Sequence, residues 1–94
     1  MLSRGGDDNP ETKLSSDLLL RAYQLVLEQG ERQADGSRHL QGINVMLDID
    51  GYGVTISDGV VSARVLFHNK VAVQTPNSRS LSRFRKLLLD LVGS

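Results

Sequence analysis

The stretch DIDGYGVTISDGVV, residues 48–61, decides the fold because it contains two Asp-Gly steps set between apolar residues. Asp-Gly flanked by alternating apolar residues is the strongest short-range signal for a β-hairpin. The type I′ turn of such a hairpin needs a positive φ at both central positions, which Asp and Gly tolerate better than other residues. We therefore assign Asp50-Gly51 and Asp58-Gly59 to turns rather than to acid chemistry.

Each turn predicts one strand register. A turn at Asp50-Gly51 pairs Ile49 with Tyr52, Leu47 with Val54 and Val45 with Ile56. A turn at Asp58-Gly59 pairs Ile56 with Val61, Val54 with Ala63 and Tyr52 with Val65. Both registers place apolar residues opposite each other on one face, whereas a one-residue slip would move a whole set to the other face. The sequence therefore predicts a three-stranded antiparallel meander.

Helices are expected on either side of this meander. Helix one should run from about residue 16 to Gln29, with Ser15 or Ser16 as its N-cap and Gly30 in a left-handed C′ position. Helix two should follow Pro76, with an N-cap chosen from Asn77, Ser78 and Ser80. Its apolar stripe is formed by Leu81, Phe84, Leu87, Leu88 and Leu91.

The predicted fold class is α+β, a two-layer α-β-β-β-(β)-α domain with a three- to four-stranded sheet and both helices on its apolar face. The optional fourth strand is VAVQT, residues 71–75. The polar segment ERQADGSRHLQ, residues 31–41, is expected to form a turn or a short irregular hairpin. Residues 1–13 lack periodicity and are predicted to be a flexible N-terminal tail, which leaves residues 14–94 as one domain.

Composition excludes several classes of function. The chain has 94 residues, equal numbers of basic and acidic side chains (11 each) and no Cys. A neutral chain is a poor partner for nucleic acid, and a chain without Cys has no thiolate catalysis and no Cys-based zinc site. We expect a cytoplasmic protein without a membrane segment, because the apolar runs are far shorter than the ~20 residues of a membrane span.

The first candidate site lies on the polar face of the sheet, where Asp48 and Arg64 are expected to reach each other across Gly53. A surface ion pair is the simpler interpretation, and a small-ligand site that adds His68 and Asn69 is the alternative. A divalent metal on Asp48 and Asp50 with His39 or His68 is disfavoured, since D-x-D-G lacks the downstream acid of a calcium loop. No metal, cofactor or catalytic residue is predicted.

Two helix surfaces are further candidates. Helix one is apolar around most of its circumference, so Leu20, Tyr23 and Leu27 either bind a partner or are covered by helix two. Helix two carries Arg79, Arg83, Arg85 and Lys86, which form either a solvated face or a weak nucleic-acid patch.

The segments LQGINVMLDIDGYGVTISD and VLFHNK resemble a small bacterial family of uncharacterised proteins. Its members share an N-terminal helix ending in Gly, a D-x-D-G-Y strand-turn-strand and an F-H-N-K segment. These map onto Gly30, Asp48–Tyr52 and Phe67–Lys70. The resemblance implies a bacterial origin and no assigned activity.

We therefore expect a non-enzymatic domain that acts through protein–protein contact and is able to form a homodimer. The alternatives are a ligand- or metal-binding module at the polar end of the sheet and a weak nucleic-acid binder through helix two.

Overall fold

The computed structural model describes residues 14–48, 51, 53–66 and 70–93. Two helices flank six strands in chain order. They are α1 (Ser16–Gln29), β1 (Glu31–Arg32), β2 (Arg38–Leu40), β3 (Ile43–Leu47), β4 (Gly53–Ser57), β5 (Ser62–Leu66), β6 (Lys70–Gln74) and α2 (Ser78–Gly93). The predicted tail, residues 1–13, lies outside the described residues.

The strands form one antiparallel sheet in the order β1-β2-β3-β4-β5-β6. The α+β class is confirmed, as is the optional strand, which is β6. The predicted strand number was too low, because the polar segment after α1 forms the second of its two predicted alternatives, a short hairpin, and both of its strands join the sheet. Its residues gave no apolar alternation, and β1 and β2 extend over only two and three residues.

Both helices pack on one face of the sheet, and the core lies between the two layers. The helices contribute Leu19, Ala22, Val26, Phe84, Leu88 and Leu91 to the core. The strands and the β4–β5 loop contribute Ile43, Val45, Val54, Ile56, Val61, Ala63 and Val65. No described helix covers the opposite face, where polar side chains alternate with these buried residues.

Side-chain caps explain where the helices begin. The hydroxyl of Ser15 accepts a hydrogen bond from the amide of Leu18 at 3.1 Å. The side-chain oxygen of Asn77 accepts one from the amide of Ser80 at 2.8 Å. These two residues are therefore the N-caps among the predicted alternatives, and each satisfies an amide that the first helical turn leaves without a partner.

Gly30 ends α1, but not in the predicted left-handed conformation. Its φ is −83°, in the extended region. A Cβ at this position would lie 2.5 Å from the carbonyl oxygen of Val26 and 2.8 Å from that of His39. Glycine is required here because the last turn of the helix and the backbone of β2 both leave no room for a Cβ, not because of a positive φ.

The register of β3 and β4 is as predicted, with Leu47 opposite Val54 and Val45 opposite Ile56. Gly51 has the expected positive φ of 77°. The other residues of that turn, Ile49, Asp50 and Tyr52, lie outside the described residues.

The predicted register of β4 and β5 is wrong by two residues. Val54 lies opposite Val65, and Ile56 lies opposite Ala63. The turn is displaced by one residue from Asp58-Gly59, since the amide of Asp58 donates to the carbonyl of Val61 at 3.2 Å. The carboxylate of Asp58 accepts hydrogen bonds from the amides of Val60 and Val61, at 2.9 and 2.8 Å. A two-residue slip keeps every side chain on its predicted face, so the apolar pattern could not reveal it.

A two-residue turn of the type I′ kind joins β2 to β3 instead. Gln41 and Gly42 both have positive φ, 50° and 85°, and Leu40 lies directly opposite Ile43. Gln is not a typical residue for the first position of this turn, which is why the sequence did not predict it.

Candidate functional site

The carboxylate of Asp48 is the centre of a small polar cluster on the open face of the sheet. Its Oδ1 accepts a hydrogen bond from the hydroxyl of Thr55 at 3.1 Å. Its Oδ2 accepts one from the guanidinium of Arg64, with which it forms an ion pair. The predicted contact between Asp48 and Arg64 is therefore present.

Gly53 provides the space for this contact. A Cβ on Gly53 would lie 2.9 Å from Oδ2 of Asp48 and 3.0 Å from the carbonyl oxygen of Val65. The contact runs diagonally, since Gly53 pairs with Leu66 and Arg64 pairs with Thr55. The sequence thus predicted the function of the glycine correctly, although it assigned a different partner across the sheet.

The cluster favours an ionised carboxylate. The hydrogen bond from Arg64 lowers the pKa of Asp48 most, and the bond from Thr55 lowers it further, against the opposing effect of burial. The side chain of Asp48 is 15% exposed, whereas that of Arg64 is 47% exposed. A carboxylate held ionised in this way accepts hydrogen bonds but does not donate a proton near neutral pH.

His68 and Asn69, the other members of the predicted ligand site, lie outside the described residues. His39 lies elsewhere on the open face, with its Nδ1 2.7 Å from the side-chain oxygen of Asn44. Asn44 and Asp48 are four residues apart along one strand direction, a separation of about 13 Å. Among the described residues, no group of three His, Asp or Glu side chains could hold a metal ion.

The predicted interaction residues of α1 divide into two kinds. Tyr23 is half-buried and packs against the core. Leu20 and Leu27 each expose 37% of their surface. We call these two leucines the α1 flank. They are seven residues apart, so they lie on the same side of the helix two turns from each other.

The predicted basic residues of α2 lie along one shallow hollow. Its volume is about 590 Å³, and the described residues that line it are Arg79, Ser82, Arg83, Arg85, Lys86 and Leu89. Arg79, Arg83 and Lys86 are exposed, and Arg85 is half-buried. Phe84, on the other side of the helix, is fully buried in the core as predicted.

One polar cluster was missed by the sequence analysis. The carboxylate of Asp35 accepts hydrogen bonds from the amide and the hydroxyl of Ser37, at 3.0 and 2.6 Å. These bonds lower the pKa of Asp35. Both residues line a second hollow of about 240 Å³ with Asn44, Val45, Met46, Thr55 and Ser57. The signal that could have found the cluster is Asp-Gly-Ser, since an Asp side chain often binds the amide two residues on.

Residues 14–94 match the sequence profile of a family described as "Protein of unknown function (DUF3081)". The chain belongs to the DUF3081 family. No curated protein and no solved structure matches it. The expected membership of an uncharacterised family without an assigned activity is thereby confirmed. The match adds no residue roles to the DUF3081 domain, so its function has to be argued from the sites above.

No helix in the described part of the DUF3081 domain is long and apolar enough to cross a membrane. The match begins at residue 14, which is also the predicted start of the domain. The clusters described above all lie between that residue and the end of α2.

Proposed function

We propose that the protein is a non-catalytic interaction domain whose contact surface is the α1 flank, and that one partner is a second copy of the same chain. The observation that carries the proposal is the exposure of Leu20 and Leu27. Each exposes 37% of its surface although its neighbours Leu19 and Val26 are fully buried. More than a third of each of these two side chains is therefore left uncovered.

The state of Asp48 supports a non-catalytic function. Arg64 and Thr55 occupy its two carboxylate oxygens, and together they lower its pKa. A general acid that works near neutral pH needs a raised pKa, as a carboxyl group in an apolar site has. The pKa of Asp48 is lowered instead, which is typical of a carboxylate in a structural ion pair.

The α1 flank provides a modest driving force for association. Fully burying a leucine stabilises by about 1.5–3 kcal/mol, so covering the exposed third of one contributes roughly 0.5–1 kcal/mol. A two-fold contact between two copies covers four such leucines and gains about 2–4 kcal/mol, or roughly 30- to 1000-fold in affinity.

Sedimentation equilibrium tests this contribution with the double variant Leu20→Glu/Leu27→Glu. We expect the variant to keep the circular dichroism spectrum and urea midpoint of the wild type and to associate at least about 30-fold more weakly. Gln29→Glu is the matched control, because it adds a carboxylate to an exposed position on the opposite side of the same helix and should leave association unchanged. Unaltered association of the double variant would refute the proposal, and so would its unfolding, since both leucines would then belong to the core.

The hollow beside α2 supports a second candidate function, the weak binding of nucleic acid. Segment 75–94 carries four basic residues, Arg79, Arg83, Arg85 and Lys86, and one acidic residue, Asp90, although the whole chain is neutral. Phosphate binding by such a patch weakens steeply with salt. Single-stranded RNA should be retained at low salt by the wild type and lost in Arg79→Gln/Arg83→Gln/Lys86→Gln, with Arg21→Gln on α1 as the control.

A bacterial cytoplasm remains our proposal for the cellular setting. The absence of Cys supports a reducing compartment. Fractionation of cells that express the tagged chain tests the compartment directly.

A further inference from the structure

Among the described strands, the outer edge of β6 is the longer of the two edges of the sheet. β6 runs over five residues, and the register with β5 continues without a bulge from Lys70 to Gln74. No described strand pairs with its other side. The opposite edge, β1, is only two residues long. Proteins protect edges with short strands, bulges, an internal Pro or charged side chains, and of these β6 has only Lys70 at its first position.

The hydrogen-bond pattern decides which backbone groups point outward. The amide of Asp48 donates to the carbonyl of Gly53 at 2.8 Å, and the amide of Asp58 donates to that of Val61 at 3.2 Å. Backbone groups alternate between the two neighbours of an antiparallel strand. The even-numbered residues of β4 therefore face β5, and the even-numbered residues of β5 face β6.

The same alternation continues into β6. Its pairs with β5 are Lys70 with Leu66, Ala72 with Arg64 and Gln74 with Ser62. The backbone groups of those three β6 residues consequently face β5. The amides and carbonyls of Val71 and Val73 point out of the sheet.

We propose that two copies of the chain pair through this edge, β6 against β6 in antiparallel orientation, with a two-fold axis at Ala72. In this register Val71 of one copy and Val73 of the other exchange two backbone hydrogen bonds, and the symmetric pair exchanges two more. It is the register in which all five residues of both strands overlap. The proposal concerns a different surface from the α1 flank and does not depend on it.

The side chains of β6 fit a second copy in this register. Ala72 meets its own symmetry mate, where a small residue suits the close approach of about 4.5 Å between Cα atoms in a pair without hydrogen bonds. Lys70 lies opposite Gln74 of the second copy, so no like charges oppose each other. Val73, which is 37% exposed, packs beside Val71 of the second copy and is covered.

Charge substitutions at Gln74 test the register. The change Gln74→Glu places a carboxylate opposite Lys70 of the second copy, and Gln74→Lys places an ammonium group there. The pair occurs twice in the dimer, so the first change should tighten dimerisation roughly 2- to 30-fold and the second should weaken it by a similar factor. The double change Lys70→Glu/Gln74→Lys restores an opposite-charge pair and should tighten dimerisation by about the same factor as Gln74→Glu. Both effects should shrink in 0.5 M salt.

Amide hydrogen exchange provides a residue-specific readout on the full chain. The amides of Val71 and Val73 should be protected in a concentrated sample and exchange fast in a dilute one. Those of Ala72 and Gln74 should be protected in both, because they bind β5. Protection of Val71 that does not change with concentration would overturn the proposal, since a segment of the same chain or a different protein would then occupy the edge.

Measurements on the double variant Leu20→Glu/Leu27→Glu distinguish the pairing of β6 strands from the proposed contact through the α1 flank. We expect Leu20→Glu/Leu27→Glu to remain dimeric and Val73→Pro in that background to be monomeric, since the amide of Val73 is not used by β5 and an edge strand tolerates Pro there. A monomeric α1 variant overturns the edge pairing and leaves the α1 contact standing. If Val73→Pro fails to fold, the two Gln74 substitutions test the register instead. The register is rejected if both change the dimer affinity in the same direction or if neither changes it.

Discussion

Replacing Gly30 by Ala tests how α1 is joined to the sheet. The φ of −83° is open to any residue, so a helix-ending glycine of this kind would ordinarily gain stability on substitution. Here a Cβ would lie within 3.0 Å of two backbone oxygens, on Val26 and on His39. Backbone atoms cannot rotate away, so the last turn of α1 must open around the carbonyl of Val26 and the end of the helix must move off β2.

The expected change in the free energy of unfolding combines two contributions of opposite sign. Overpacking of this kind costs about 1–3 kcal/mol, and the upper end applies because both obstacles are backbone. The lower entropy of the unfolded alanine chain returns about 0.4–1 kcal/mol. We therefore expect Gly30→Ala to destabilise the protein by about 2 kcal/mol. For a domain of this size, that lowers the melting temperature by roughly 8–16 °C.

Urea unfolding with a matched glycine separates the steric explanation from a conformational one. Gly36 has a φ of 92° and open space around its Cβ position, so Gly36→Asn should be milder than Gly36→Ala. At Gly30 this difference between the two variants should disappear, and Gly30→Asn should be no more stable than Gly30→Ala. If Gly30→Asn were clearly more stable than Gly30→Ala, the residue would be a left-handed cap and the close contact with β2 would be refuted.

Three further predictions concern the core, the helix end and the ion pair. Phe84→Ala should cost about 3–5 kcal/mol in urea unfolding, whereas a change near zero would show that Phe84 is available for stacking on RNA bases. Arg38→Met should cost about 1 kcal/mol, because the guanidinium of Arg38 donates to the carbonyl of Leu27 at 2.9 Å and caps a helix whose last turn has no basic residue. The pKa of Asp48 is lowered in the folded state, so its contribution is present above the unfolded value of about 3.9 and is lost as the pH falls through the lower folded value. The stability advantage of the wild type over Asp48→Asn should therefore shrink below about pH 4 and be constant above about pH 5, and shrinkage at neutral pH instead would contradict the assignment.

The sequence predicted those parts of the fold that depend on which face a residue occupies. The helices, the shared core and the register of β3 with β4 follow from apolar periodicity, which does not depend on the exact conformation of the loops. The second register did not follow, because a shift of two residues preserves the face and only the side chain of Asp58 distinguishes the loops. The strands β1 and β2 are mostly polar, and their pairing is held by backbone bonds rather than by an apolar pattern, while Arg38 connects β2 to the end of α1.

For the candidate sites, too, the sequence predicted local contacts better than it predicted which side chains the packing covers. The contact of Asp48 with Arg64 was predictable because a glycine in a strand signals a close approach. The exposure of the α1 flank was not predictable, since both leucines continue the apolar surface of the helix and only the position of α2 decides what is covered. The cluster of Asp35 and Ser37 depends on local turn chemistry in a mostly polar segment, which apolar periodicity does not reveal.

The unequal edges of the sheet limit how far association can proceed. A pairing between two β6 strands uses that edge on both copies and leaves two β1 edges, each only two residues long. A strand of two residues offers too few backbone hydrogen bonds to recruit a third copy. The paired sheet would therefore stop at twelve strands instead of growing into a fibre. The α1 flank lies on a helix of the covered face, so a second two-fold contact there would join dimers into larger assemblies. A mass of two chains in the α1 variant and more than two in the wild type would show both contacts at once, whereas a mass of one chain in the α1 variant would leave the α1 contact alone and reject the edge pairing.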